Sequence, residues 1–226
     1  MNYCILIWET IWQSTFFAKY FHLRNALSFV PLHHSAHLHL SKPAFRTLGI
    51  AESFIRACPT SRLAGVVMRA DLRVDGISFA NATVGGDDAT EGVVNIYEQL
   101  KREDINALIL SGAVISWFNI IDLQRVFDHI QKPVVCLTYE ESPGLEKYIC
   151  QYFLEPGQKL ERYQRLGPRE MIRLKTGYDV FIRVMGTTAD EARVLLNKFT
   201  LDGRIPEPIK VARLAARAMM HSNGNR

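Results

Sequence analysis

The sequence predicts an α/β fold on one mixed sheet: three antiparallel strands continued by a βαβ unit, with flanking helices and a basic C-terminal region. Three observations carry this. Residues 107–110 and 134–137 are short apolar runs without helical period, as expected of buried parallel strands. Between them Ile120, Leu123, Val126, Phe127 and Ile130 recur at three and four residues, the spacing of one helical face. Upstream, two β-rich runs at 63–69 and 77–84 flank Val74-Asp75-Gly76, and Asp-Gly between such runs predicts a hairpin turn.

Taken in order, residues 1–41 stand apart. They are rich in Trp, Phe, Tyr and His, contain no glycine and show no steady period. They are read as an appendage, or as the product of a start codon placed too far upstream, next to a domain spanning 42–222. His33, His34, His37 and His39 crowd together without a carboxylate or cysteine among them, so no metal role is assigned to them. From Phe45, the run FRTLGI predicts a first strand ending at Gly49-Ile50, followed by the hairpin. Gly85-Gly86 breaks the third strand. Asp88 and Glu91, three residues apart, predict a capping box, and Val93, Ile96, Tyr97 and Leu100 form the apolar face of the helix it opens. In the βαβ unit, Asn119 is the expected N-cap and Asp122 falls in the first helical turn. Beyond it, residues 145–153 and 160–166 read as helices, 171–174 and 180–184 as short strands, and 189–199 as a helix. A last helix, 209–220, sets Lys210, Arg213 and Arg217 beside an apolar stripe of Val211, Leu214 and Ala218.

Composition narrows the function classes. A chain of 226 residues with 48% apolar and 22% charged content is globular, and a net charge of +4 permits an acidic partner without requiring one. The four cysteines are widely spaced and none forms a CxxC, which argues against a disulfide framework or zinc knuckle and for a reducing compartment, the cytoplasm. No run approaches the ~18 apolar residues of a membrane span.

Chemistry is expected where strands end: at Ala51-Glu52, at Asp87-Asp88, and at Ser111-Gly112. Three antiparallel strands followed by αβαβ is the strand order of the ribonuclease H-like fold, in which the first and fourth strand ends are neighbours. Glu52, Asp87 and Asp88 are then the candidate catalytic and metal-binding residues, and their oxygen donors would select Mg2+ or Mn2+ over zinc. Ser111, Gly112 and Asn119 are candidate substrate contacts; Ser111 has no base visibly paired with it. The basic stretch Lys159, Arg162, Arg165, Arg169, Arg173 and Lys175, with the stripe Lys210, Arg213 and Arg217, reads as a solvated helix face or as a phosphate-binding surface.

At these residues the chain resembles the mostly archaeal endonuclease dU family, related to endonuclease V. The resemblance rests on KPAFRTLGI, GGDDATE, LSGAVISWFNIIDL with KPVVCLT, and IPEPIKVARLAA, running in the family's order from Lys42 to about Met220. It implies a divalent-metal-dependent endonuclease acting on deaminated or damaged DNA, hence a role in DNA repair. It also implies acidic residues where this chain has Ala51, Gly85 and Ser111, while Asp88 matches and Glu52 keeps a carboxylate. A two-metal site that loses several carboxylates loses metal affinity and rate. The alternative is therefore a catalytically inactive nucleic-acid-binding protein of the same fold.

Overall fold

The computed structural model describes Leu38 and residues 44–222. All of these belong to the unit that begins at Ser35, and the histidine cluster lies outside the described residues. Strand β1 is Arg46–Ser53, β2 Thr60–Arg69 and β3 Val74–Thr83; then come helix α1, Ala89–Leu100, and β4, Ala107–Ser111. A two-strand hairpin of β5, Val114–Ile115, and β6, Asn119–Ile120, precedes α2, Leu123–Ile130, and β7, Val134–Thr138. The chain closes with α3 (Glu146–Tyr152), α4 (Gly157–Arg165), β8 (Glu170–Arg173), β9 (Asp179–Met185), α5 (Ala189–Phe199) and α6 (Glu207–Ser222).

Seven strands form one sheet in the order β3-β2-β1-β4-β7-β9-β8. Strands β1, β4 and β7 are parallel, whereas β2, β3, β9 and β8 each run antiparallel to an inner neighbour. The apolar runs that predicted β4 and β7 are buried on both faces because helices cover both. One core holds Leu48, Ile50, Leu108 and Leu110 against Val93 and Ile96 of α1 and Leu123, Val126 and Ile130 of α2. The other holds Val66, Ile109, Val135 and Leu137 against Leu195, Leu196 and Phe199 of α5 and Ile209 and Ala212 of α6. Cys136, inside β7, is buried as expected, which pushes its thiol up to about 12. Gly49 lets α6 reach the sheet: a Cβ there would stand 2.6 Å from the Pro208 Cβ.

Five local expectations are corrected. Strand β1 runs past Ile50 to Ser53, so Glu52 lies within it, paired with Leu63 of β2. The hairpin turns at residues 70–73, with Leu72 at φ 65°, rather than at Asp75-Gly76. Asp75 is the extra residue of a bulge between the pairs Met68–Val74 and Val67–Gly76, where Arg46 and Arg102 hold its carboxylate. The capping box at α1 does not form, because Asp88 turns its carboxylate to Thr83 and Glu91 pairs with Arg125. Asn119 sits in β6, and Asp122 is the N-cap of α2, accepting from the Arg125 N–H. On α6 the buried face is Ile209, Ala212, Ala216 and Met220, while Leu214 is 64% exposed; the predicted stripe lies one position off.

Candidate functional site at the ends of β1 and β4

Side chains alternate along a strand, so Ala51 and Glu52 point to opposite faces of the sheet. The register pairs Ile50 with Leu110, which sets Ala51 beside Ser111 on the face covered by α6. From α6, Arg213 donates to the Ser111 hydroxyl at 2.8 Å, and its guanidinium lies 4.9 Å above the Tyr139 ring. The Tyr139 hydroxyl is buried near Ser111 but makes no hydrogen bond of ordinary geometry among the described residues. Burial pushes its pKa above the ordinary tyrosine value, and the neighbouring Arg213 charge opposes that rise. Arg204 and Arg169 flank the same strand end, donating to the Tyr139 and Glu140 carbonyls respectively. Two hydroxyls and a guanidinium that meet at a strand end suit an anion, not a cation.

On the opposite face Glu52 is held by the β5–β6 tip. Both its oxygens accept from the Ser116 N–H, at 2.9 and 2.8 Å, and one accepts from the Ser116 hydroxyl at 2.5 Å. That hydroxyl also lies 2.6 Å from the Ser61 hydroxyl. Burial raises the Glu52 pKa, and the Ser116 hydrogen bonds work against the rise.

Asp88 accepts from the Thr83 N–H at 2.9 Å, from the Thr83 hydroxyl at 2.7 Å and from Asn119 at 2.6 Å. Burial alone would raise Asp88, but these bonds outweigh it and hold the carboxyl below its ordinary value. Asn119 completes the corner, its oxygen accepting from the Ala89 N–H and so capping α1 in place of the expected box. Asp87 points elsewhere, pairing at 3.0 Å with both Lys159 and Arg162. Lys159 is no solvated residue: it is 6% exposed and also donates to the Gly86 and Phe118 carbonyls, at 2.8 and 3.0 Å. Gly85 adopts φ 74° and donates to the Ser116 carbonyl.

The three candidate carboxylates therefore face three different sets of partners. Among the described residues no group of three or more His, Cys, Asp or Glu is placed to hold a metal ion. The positions that face each other across β1 and β4 are Ala51 and Ser111, with a guanidinium over them. Mg2+ and Mn2+ need several converging oxygen donors, and this arrangement does not fit them. Of the other expected contacts, Gly112 turns the chain out of β4 at φ 96°. Lys210 pairs with Asp202 and Glu207, and Arg217 is exposed on α6. Sequence reasoning missed Ser116, Tyr139 and the burial of Lys159. The consecutive Ser-Trp-Phe after β4 was the available signal for the first, since three such residues do not continue an apolar strand.

The strand order, with polar groups gathered at the ends of β1 and β4, is that of a ribonuclease H-like protein. The Endonuclease dU family model matches residues 43–220, and the chain belongs to that family. A UPF0215 protein of Pyrobaculum calidifontis is 38% identical over 173 residues, covering 75% of this chain and 93% of the relative. One from Pyrobaculum aerophilum is 34% identical over 172 residues, covering 76% and 92%. A crystal structure of a protein of unknown function from Archaeoglobus fulgidus superposes with TM-score 0.68 at 27% identity, over 78% of this chain and 99% of that one. Ciona intestinalis endonuclease V, solved with inosine-containing DNA, gives TM-score 0.57 at 14% identity, over 91% and 95%. The family to which the chain belongs is described as an endonuclease family, and the endonuclease V likeness shows the fold. No helix among the described residues is long and apolar enough to cross a membrane.

Proposed function

We propose that this protein is a cytoplasmic nucleic-acid-binding member of the endonuclease dU family. In this reading it holds a backbone phosphate at the ends of β1 and β4 without two-metal hydrolysis. One observation carries the reading: Ala51 and Ser111 stand side by side where two carboxylates would face each other, and Arg213 reaches over them to Ser111. A phosphate oxygen there would accept from the guanidinium fork and from the hydroxyls of Ser111 and Tyr139, the latter buried near Ser111 without a hydrogen bond of ordinary geometry among the described residues. The metal-dependent alternative asks more of the chain. Glu52 would have to release the Ser116 N–H and hydroxyl, and Asp87 would have to release Lys159, leaving a buried ammonium without its counter-charge. DNA is favoured over RNA by the family's name.

The test is a pair of assays on oligonucleotides carrying deoxyuridine or deoxyinosine, with Mg2+, Mn2+ or EDTA. Binding that weakens with salt and is indifferent to EDTA, without nicking, is the expected outcome. Metal-dependent nicking that disappears in Asp88→Asn would overturn it.

A further inference from the structure

Three consecutive non-glycine residues at the tip of the β5–β6 hairpin have positive φ: Ser116 at 46°, Trp117 at 59° and Phe118 at 63°. Such a run persists only where its surroundings over-determine it. They do so here on every side. Glu52 holds the Ser116 N–H and hydroxyl, Gly85 donates to the Ser116 carbonyl, and Lys159 donates to the Phe118 carbonyl. What this strained tip presents is aromatic. The Trp117 ring lies 5.0 Å from Tyr152 and 5.2 Å from Phe118, while Phe118 makes an edge contact with Phe153 at 5.8 Å. The Arg56 guanidinium sits 3.8 Å over the Trp117 ring and 5.7 Å from Tyr152. Arg56 is exposed and Tyr152 is 44% exposed, so the cluster opens to solvent.

We infer that this tip is a preorganised stacking platform for an unpaired base of single-stranded nucleic acid. The observation behind it is a cluster of Arg56 over Trp117 with Tyr152 tilted at 55° against it, open to solvent at Arg56 and Tyr152 and built on a backbone locked by Glu52 and Lys159. The inference rests on the nucleic-acid reading and narrows it to a class of substrate. A base has a π-face whatever its identity, and it can lie on a guanidinium plane or a tyrosine ring. The exposed Arg56 guanidinium suits a phosphate that flanks a stacked base better than it suits an apolar protein partner. In this arrangement Glu52 is a positioning residue. It touches no base but fixes Ser116, and through it the ring of Trp117.

The experiment uses the full chain and two 16-nucleotide strands of equal charge, one of oligothymidylate and one abasic throughout, at one salt concentration. The wild type is expected to bind the thymidylate strand about tenfold tighter, roughly the contribution of one stacked base. Tyr152→Ala, a solvent-facing change without loss of charge, should bring that ratio toward one and leave abasic affinity nearly unchanged, whereas Arg56→Ala should bring the ratio toward one and also weaken abasic binding through the lost charge. Arg213→Ala should weaken both strands alike and keep the ratio. A wild-type ratio of one would overturn the platform, as a surface meant for a protein would give that result. So would a high ratio that survives both platform substitutions. Failure to bind either strand would instead remove the nucleic-acid reading on which the inference rests.

Discussion

Ala51 and Glu52 are neighbours in the chain, yet the two faces of the sheet they point to differ in charge and in use. Beneath α6, Ala51 and Ser111 leave a carboxylate-free corner into which Arg213 inserts a positive charge. On the other face Glu52 keeps its carboxylate and directs it to the Ser116 backbone and hydroxyl. One face gathers anion-binding groups, and on the other an acid anchors a hairpin. What the acid faces decides its role.

The largest effect is expected at Glu52. Its replacement by alanine leaves the buried Ser116 N–H without its acceptor and releases a strained tip, at a cost of about 2–3 kcal/mol in denaturant unfolding. A loss below about 0.5 kcal/mol would mean the carboxylate is not an anchor. Lys159→Met comes next. It removes the donor to Gly86, Asp87 and Phe118, and about 2 kcal/mol of stability is expected to go with it, discounted because Asp87 is half exposed. Arg213→Ala should leave stability nearly intact but weaken DNA binding about fivefold at low salt, with the salt slope falling by about one phosphate. The smallest effect is in pH dependence. Because the folded protein raises the Glu52 pKa, folded Glu52 retains its proton over a range in which the unfolded chain has lost it. Its contribution therefore falls as pH rises from about the ordinary glutamate value through the raised one. Asp88 acts in the opposite sense and lower, its contribution being lost as pH falls below its ordinary value. Glu52→Gln should flatten the upper limb of the stability profile and leave the acid limb in place.

The sheet was legible because strand signals add up over several residues. The runs at β4 and β7 and the periodic face of α1 needed no tertiary information. The hairpin turn was misplaced because Asp75 answers to Arg46 and Arg102 across the sheet rather than to its neighbours. Asn119 shows the same limit: its capping role is real, but it caps α1, thirty residues earlier in the chain, not the helix that follows. For α6, helical spacing cannot separate two overlapping faces, and the close approach at Gly49 selects Ile209 and Ala212. At the site, residue types were readable and directions were not. Alternation along β1 separates Ala51 from Glu52, but only the pairing with β4 and the arrival of Arg213 give that separation its chemical meaning.

The most direct test of this account is a titration of the protein with Mn2+, followed by electron paramagnetic resonance of the free ion. If the carboxylates are committed to Ser116, Lys159 and Thr83, the free-ion signal should rise as in buffer, with no stoichiometric uptake at micromolar concentrations. One or two equivalents bound tightly by the wild type and lost in Asp88→Asn would contradict the account, and would restore a metal centre to the ends of β1 and β4.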